Sequence, residues 1–251
     1  MKGRSEVLAP GSVEVVYRWV VAVFKAAVGD QLIAASPCNR IALPKRDVGE
    51  VVPLTAEQVE AMAGACPDRY RALIVLAAGT GLRQGKCFGL TVDRVDFLHR
   101  QVRFNRQLVG ARAGVPEFGP PKSKAGFRTV PLPDVVADVL AEHLGRYRRG
   151  PADLVFTNTH GTPMRRSPAG EIWRRAAAKA DLPAWATFHD LRHFYASLLI
   201  SRGCSVKTVQ RRLGHQSAME TLDTYGHLWP DSDDETRNAV DLVLAGVSRT
   251  G

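Results

Sequence analysis

The sequence has few cysteines and no long uncharged apolar run. Its four cysteines are scattered without a CxxC pair, which argues against a disulfide framework and a cysteine zinc site and is typical of a reducing compartment. The longest apolar stretch, residues 13–28, contains Glu14, Arg18 and Lys25 and is too charged to cross a bilayer or to form a signal-peptide core. These absences predict a soluble, cytoplasmic protein with no membrane partner.

Acidic residues are also scarce. The chain has 25 Asp and Glu against 34 Lys and Arg, a net charge of +9. The surplus is concentrated in residues 122–215, with 16 Lys and Arg against 7 acids, whereas the residues from 216 onward hold 2 against 7. This balance favours a polyanionic partner such as nucleic acid, although a solvated basic surface would have the same composition.

Local patterns predict an α+β fold, mostly helical with one small antiparallel sheet. Residues 13–28 read as an amphipathic or buried helix with Val16, Val20, Phe24 and Ala27 on one face, and residues 43–53 have the composition of a linker. Thr55-x-x-Gln58 is a capping box that opens a helix and, with it, a new unit. One or two helices before it cannot bury enough surface to be stable alone, so we expect residues 1–50 to be the end of something longer.

The second unit continues with alternating helical and strand patterns. Alternation in residues 101–107 and 127–131 predicts a β-hairpin with a long loop. Capping boxes at Thr187 and Ser217 predict a helix to about Ser201 and a short helix that runs into Tyr225. Further helices are predicted at 69–78, 134–147 and 168–180, with a short strand at 154–156.

The segment Thr187-Phe-His189-Asp-Leu-Arg192-His193 carries the first chemical signal. If Thr187 caps the helix, His189 and Arg192 share one face at its N-terminus, where N–H groups and the helix dipole favour an anion such as phosphate. An exposed charged helix is the plainer alternative.

The same letters also allow a zinc site. His-Asp-x-x-His is one carbon short of the His-Glu-x-x-His of zinc proteases, and His215 and Glu220 are the candidates for a third ligand. The short carboxylate of Asp190 and the nearby cation of Arg192 argue against this hypothesis.

Four further motifs accompany this segment. Gly79-Thr-Gly-Leu-Arg83 and Pro121-Lys-Ser-Lys124-Ala-Gly126 precede it, and Leu213-Gly-His215 and Tyr225 follow it. In this order the motifs resemble those of tyrosine recombinases of the phage-integrase type, from about Leu54 to the C-terminus. The resemblance implies a catalytic domain in residues 51–251, with residues 1–50 similar to the last helices of a core-DNA-binding domain.

The resemblance implies a site-specific DNA recombinase or integrase that serves a phage or mobile element. Tyr225 would attack the scissile phosphate and form a covalent 3′-phosphotyrosyl intermediate, with no cofactor, ATP or metal required. Arg83 and Arg192 would clamp the non-bridging oxygens. Lys124 would protonate the leaving 5′-oxygen.

Two histidines complete the implied site. His189 would add a hydrogen bond and help manage the tyrosine proton, and His215 would donate to the phosphate. One position departs from the family pattern: three residues after its first arginine the family usually has an acid, and this chain has Lys86. We expect Lys86 to impair the site mildly, unless it points to solvent or DNA.

The implied partner is double-stranded DNA, bound by a homotetramer in the synaptic complex, with an excisionase or a host DNA-bending factor as a possible accessory. The acidic, partly apolar residues 231–247 would dock on a neighbouring protomer or pack on their own domain. Candidates for phosphate contacts are Lys122, Arg103, Arg106, Arg165, Arg166, Lys207, Arg211 and Arg212. Two alternatives stay open: a relative that only nicks and relaxes DNA, as type IB topoisomerases do, and a DNA-binding remnant without turnover.

Overall fold

The computed structural model describes residues 8–44, 49–121, 123–229 and 233–247, the last range without the side chains at 235, 239 and 245–247. The chain divides into two compact units, residues 1–49 and residues 50–251. Lys122, a predicted phosphate contact, lies outside the described residues, and so do residues 231 and 232 at the start of the 231–247 segment.

The described part of the first unit contains one helix, α1 (Pro10–Gly29), followed by turns. The hydroxyl of Tyr17 donates to the carbonyl of Cys38 at 2.7 Å and ties the helix to those turns. The predicted helix is present, but no residue of α1 is buried, and Val16 and Val20 of the predicted face are 54% and 39% exposed. The other two residues of that face, Phe24 and Ala27, are partly buried, as is Tyr17, so the prediction is right only for the C-terminal half of the helix.

The second unit is built around a buried helix, α3 (Asp68–Thr80). It contacts α2 (Ala56–Ala65), α5 (Asp134–Arg146) and α7 (Asp190–Ser201). The predicted capping box at Thr55 is confirmed, since its side chain accepts from Gln58 N and Gln58 returns a bond to Thr55 N. Between α3 and the sheet lies the short helix α4 (Gln84–Phe88), and α6 (Arg166–Lys179) lies against α2.

The sheet is small and antiparallel. Strands β1 (Val95–Asp96), β2 (Gln101–Phe104) and β5 (Arg128–Pro131) form it in the order β1-β2-β5, with Val102 opposite Val130 in the core. The predicted long loop is instead a second hairpin, formed by β3 (Gln107–Arg112) and β4 (Val115–Gly119). The predicted strand at 154–156 is wrong too, because only an isolated bridge from Leu154 to Thr91 forms there.

Three C-terminal helices form a second, smaller core. They are α7, α8 (Val206–Leu213) and α9 (Ala218–Tyr225), which bury Tyr195, Ile200, Val209, Leu213 and Tyr225 together. Ser217 caps α9 as predicted, by accepting from Glu220 N. Thr187 forms a capping turn with Asp190, but the helix itself begins at Asp190 with His189 at its N-cap. The last helix, α10 (Asp233–Val247), was not predicted.

Candidate active site

Arg83 reaches the site because α3 stops abruptly. Gly81 ends that helix in the left-handed conformation, with φ of +62°, and a side chain there would come within 2.4 Å of the Tyr195 ring. The turn places Arg83 at the N-cap of α4 with its side chain 48% exposed. Nη2 of Arg83 lies 3.7 Å from Oε1 of Glu220, a residue of α9.

Arg192 approaches the same point from α7. It is 2% exposed, and its Nη1 donates to the carbonyl of Gly81 at 2.7 Å, two residues before Arg83. Its Nη2 is buried and has no hydrogen-bond partner among the described residues. Burial, and next the charge of Arg83, lower the pKa of Arg192 to about 9. The two arginines therefore face one region, and one buried N–H donor there is free to take an anion.

Two further cations lie beside this pair. Lys86 is 5% exposed, and its Nζ donates to the carbonyl of Gly126 at 2.8 Å, so it does not point to solvent. Burial, followed by the charges of Arg128, Arg83 and Arg192, lowers its pKa to about 7. Arg128, on β5, donates through Nε to the carbonyl of Arg212, while its Nη1 and Nη2 are buried without a partner among the described residues.

A cleft of about 340 Å³ opens over these groups. Its cationic lining residues are Arg83, Lys86 and Arg166, and Glu220 is the one carboxylate among the described residues that line it. Clustered cations that are partly removed from water repel one another, and a bound polyanion would relieve that repulsion. The cleft is therefore arranged for a phosphate group.

The turn that carries Lys124 borders the same cleft. Ser123 and Gly126 line it, and residues Lys124–Gly126 form a single 3-10 turn. A side chain at Gly126 would come within 2.3 Å of the Pro121 ring, so the close packing of this turn requires glycine. The side chain of Lys124 is exposed, next to the carbonyl that holds Lys86.

His215 lies below the cleft and is held on both sides. Its Nδ1 is 2.9 Å from Oγ1 of Thr221, and its Nε2 faces Oε1 of Glu220 at 3.7 Å. Burial and the charges of Arg192, Arg83 and Arg128 lower its pKa to about 3, so the ring is neutral. Because Nε2 faces a carboxylate, we place the ring proton there, which makes this nitrogen a donor directed at the cleft.

Tyr225 ends α9 with its hydroxyl inside the domain. The residue is 1% exposed, and its ring stacks on that of His215 with centroids 6.4 Å apart. Its hydroxyl lies 2.8 Å from Nδ1 of His193. Burial raises the pKa of the phenol to about 12, while the charges of Arg192 and Arg83 act in the opposite direction. The phenol therefore shares the electrostatic environment of the two arginines.

His189 reaches this group through His193. The two rings meet edge to face with centroids 4.9 Å apart, and none of the hydrogen bonds seen between described residues joins the ring of His189 to Tyr225. Desolvation, with the neighbouring His193, Arg192 and Arg83, lowers the pKa of His189 to about 4. The neutral ring lies at the N-cap of α7.

The zinc hypothesis finds no support in this geometry. One carboxylate oxygen of Asp190 accepts from both the amide and the hydroxyl of Thr187, and Nδ1 of His193 is bonded to Tyr225. Within the described ranges no three His, Cys, Asp or Glu side chains are placed to hold a metal ion. In the same ranges no helix is long and apolar enough to cross a bilayer.

The predicted DNA contacts fall into different settings. Arg166 lines the cleft, and Lys207 and Arg211 are exposed on α8. Arg106 is held inside the domain by Thr91, by Asp93 and by the ring of Phe118 at 4.3 Å, which leaves it less able to reach DNA. The others are Arg103, paired with Asp96, Arg165, exposed at the N-cap of α6, and Arg212, with Nη1 3.5 Å from the carbonyl of Thr129.

Comparison with known proteins shows the family. The sequence profile of the phage integrase family matches residues 53–231. The chain belongs to that family. It is 30% identical over 248 residues to a XerC-like tyrosine recombinase of Caldanaerobacter subterraneus subsp. tengcongensis, which covers 88% of this chain and 62% of that protein. A putative prophage phiRv2 integrase of Mycobacterium tuberculosis is 30% identical over 227 residues, or 87% and 59%. The chain thus spans about 60% of the length of these relatives.

Solved structures show that the fold is that of integrases. The Tn1549 transposon integrase in complex with circular intermediate DNA matches with a TM-score of 0.80 at 22% identity, over 96% of this chain and 82% of that one. A lambda integrase dimer bound to a COC′ core site matches with a TM-score of 0.62 at 19% identity, over 84% and 74%. The predicted α+β class, mostly helical with a small antiparallel sheet, is confirmed.

Three residues of the site were missed or misjudged from sequence. Arg128 is not among the predicted site residues, although its place in a predicted strand beside the lysine turn is a signal that could have identified it. Lys86 was expected to be harmful or solvent-facing and is a buried donor to the lysine turn. His193 was considered only as a zinc ligand, and it is the partner of the tyrosine hydroxyl.

Proposed function

We propose that this chain is the catalytic part of a site-specific tyrosine recombinase that cuts and rejoins duplex DNA for a phage or mobile element. The observation that carries the proposal is the cluster of Arg83, Lys86, Arg128 and Arg192. Arg83 and Lys86 line one cleft, and the phenol of Tyr225 lies in the field of Arg83 and Arg192. Partly desolvated guanidinium groups with free N–H donors bind phosphate oxygens well. Family membership supplies the matching chemistry.

In the first step Tyr225 would attack the scissile phosphorus through its phenol oxygen. The bond from phosphorus to the 5′-oxygen breaks as the new bond to Tyr225 forms, which leaves a 3′-phosphotyrosyl link and a free 5′-hydroxyl. Arg83 and Arg192 bind the non-bridging oxygens as their charge grows. Because the phosphodiester energy is kept in the new link, rejoining requires no ATP.

Three side chains would support the proton movements and the phosphate. Lys124 gives a proton to the leaving 5′-oxygen, from a turn that borders the cleft. His215 offers its Nε2–H once the phosphate displaces Glu220. At present Nε2 of His215 and Nη2 of Arg83 each lie 3.7 Å from the same carboxylate oxygen, Oε1 of Glu220. His189, at the N-cap of α7, adds a hydrogen bond to a phosphate oxygen and helps in handling the tyrosine proton.

The wider assembly is part of the same proposal. Four protomers would exchange strands within one synaptic complex, in the cytoplasm, where an excisionase or a host bending protein sets direction. Residues 1–50 would be the C-terminal end of a core-DNA-binding domain. Contacts from Arg166, Lys207 and Arg211 would be independent of sequence and strongly salt-dependent.

The test is covalent capture. The tagged chain is incubated with sheared DNA of the host that carries the element, and adducts that survive denaturing detergent are recovered and sequenced. We expect recurrent ends at one site with the wild type and none with Tyr225→Phe, which removes only the attacking oxygen. Equal recovery with both proteins, or none with either, would refute the proposal.

Two observations favour a second candidate, a DNA-binding protein without turnover. The hydroxyl of Tyr225 is buried, and Lys86 adds a like charge beside Arg83. Such a protein would retard DNA in gels and leave no adduct, so the capture experiment separates the two functions.

A further inference from the structure

His193 is placed at the reacting atom of the proposed nucleophile. It lies on α7 one turn after His189, and its Nδ1 is 2.8 Å from the hydroxyl of Tyr225, within ordinary hydrogen-bond range. The two rings meet at 63° with centroids 5.5 Å apart. His215 contacts the same tyrosine differently, through its ring face. His193 is thus the described histidine whose nitrogen bonds the phenol oxygen.

The proton in this hydrogen bond lies on the tyrosine. Burial raises the pKa of Tyr225 to about 12, and burial also lowers the pKa of His193, so both groups are neutral at physiological pH. A buried phenol with a single partner uses its O–H as the donor, which leaves Nδ1 of His193 as the acceptor. A neutral imidazole that accepts from a nucleophile is the arrangement of a general base.

Resting on the function proposed above, we propose that His193 is the base that removes the proton of Tyr225 during attack on the phosphate. As the bond from Oη to phosphorus forms, the Oη–H bond breaks and its proton moves to Nδ1, so that His193 becomes an imidazolium. The bond from phosphorus to the 5′-oxygen breaks in the same step, and that oxygen takes a proton from Lys124. Rejoining runs the transfers in reverse, which returns the proton to Tyr225.

The surroundings of His193 fit a proton transfer that takes place during the attack of Tyr225 on phosphorus and not before it. Because Tyr225 holds its proton so firmly, a free phenolate would not accumulate before the attack. Once formed, the imidazolium would be favoured by Asp190 on its own helix and opposed by Arg192. From the other packed elements, Arg83 and Glu220 act on the tyrosine. A bound phosphate would offset the opposing cations.

Asparagine separates a base from a mere hydrogen-bond partner. In His193→Asn the amide oxygen takes the place of Nδ1 and still accepts from the phenol, but an amide does not take up a proton at neutral pH. His193→Ala removes both functions. His99→Asn, at an exposed histidine in the turn between β1 and β2, is the matched control. His193 is only half-buried, so the variants are expected to fold, and thermal unfolding checks this.

The assay is single-turnover adduct formation on a nicked suicide duplex of the sequence captured by the wild type. Two versions are compared, one with the natural 5′-oxygen and one with a bridging 5′-sulfur, which leaves without protonation. We expect His193→Asn and His193→Ala to slow adduct formation at least about 100-fold on both versions, and His99→Asn to match the wild type. Lys124→Ala should be slow on oxygen and restored on sulfur.

Three results would overturn the inference in different ways. His193→Asn within a few-fold of wild type would show that the hydrogen bond suffices without proton uptake. Restoration of the His193 variants by the sulfur duplex would place the residue on the leaving-group side. A wild type that forms no adduct would refute the proposed function itself, and the role of His193 with it, whereas the first two results would refute only that role.

Discussion

Replacing Lys86 by methionine should stabilise the protein near neutral pH. Lys86 is 5% exposed and its amine is repelled by the charges of Arg128, Arg83 and Arg192, so its pKa falls to about 7 from the usual 10.5. Methionine keeps the length and the apolar stem and removes the charge. It also removes the hydrogen bond to the carbonyl of Gly126.

The sign and the size follow from proton linkage. Between pH 7 and 10.5 the folded chain binds fewer protons at Lys86 than the unfolded chain, so the free energy of unfolding rises with pH across that window. At 1.36 kcal/mol per pKa unit, the cost of deprotonating Lys86 on folding is on the order of 4 kcal/mol at pH 7.5. The unpaired carbonyl left by methionine costs about 1 to 3 kcal/mol. Lys86→Met should therefore gain about 2 kcal/mol, or a Tm rise of roughly 4 to 8 °C in a domain of this size.

The assay is urea unfolding of wild type and Lys86→Met at several pH values from 6.5 to 9.5. We expect the advantage of the variant to shrink as the pH rises and to disappear by about pH 9.5, because the cost of deprotonating the wild-type amine on folding is then only about 1.4 kcal/mol, within the range of the cost of the unpaired carbonyl in the variant. Lys124→Met, at an exposed lysine of the neighbouring turn, should give a curve parallel to wild type. A difference between wild type and Lys86→Met that does not change with pH would refute the reasoning.

Three further substitutions test the charge cluster. Lys86→Glu should raise adduct formation by replacing a like charge beside Arg83 with an opposite one, and an unchanged or lower yield would contradict this. Glu220→Gln should strengthen the binding of inorganic sulfate several-fold, because the carboxylate 3.7 Å from Arg83 now competes for its guanidinium. The rise in Tm with sulfate measures this binding, and weaker or equal binding would argue against a shared anion position. Gly214→Ala should lower the free energy of unfolding by more than about 2 kcal/mol and reduce DNA binding, since φ is +68° and the new methyl would lie 2.4 Å from Nη1 of Arg128; a stable variant with normal DNA binding would contradict the close packing.

Local signals carried much of the fold. The capping box at Thr55 and the N-cap at Ser217 each depend on four consecutive residues, and both are present in the structure. Helix α5 follows a clear apolar period and lies within one residue of its predicted bounds. The segment between β2 and β5 was harder, because its glycines and prolines suggested a loop although they lie in and beside the β3–β4 hairpin.

The parts of the site that were missed depend on contacts between distant residues. The bond from His193 to Tyr225 joins positions 32 apart, and the bond from Lys86 to Gly126 joins positions 40 apart. Neither pair has a local signature. For Lys86 the sequence shows only the charge, and it does not show that the backbone carbonyl of Gly126 accepts a hydrogen bond from the amine. For α1 the sequence shows which residues are apolar, but it does not show which side of the helix its neighbours cover.

Peptide mapping of the captured adduct tests the central claim most directly, since it asks which atom of the protein holds the DNA. Proteolysis and nuclease digestion of the wild-type adduct, followed by fragmentation mass spectrometry, should place one nucleotide on the ring oxygen of Tyr225, linked through its 3′-phosphate. A nucleotide attached through its 5′-phosphate, or carried by any other residue, would contradict the account.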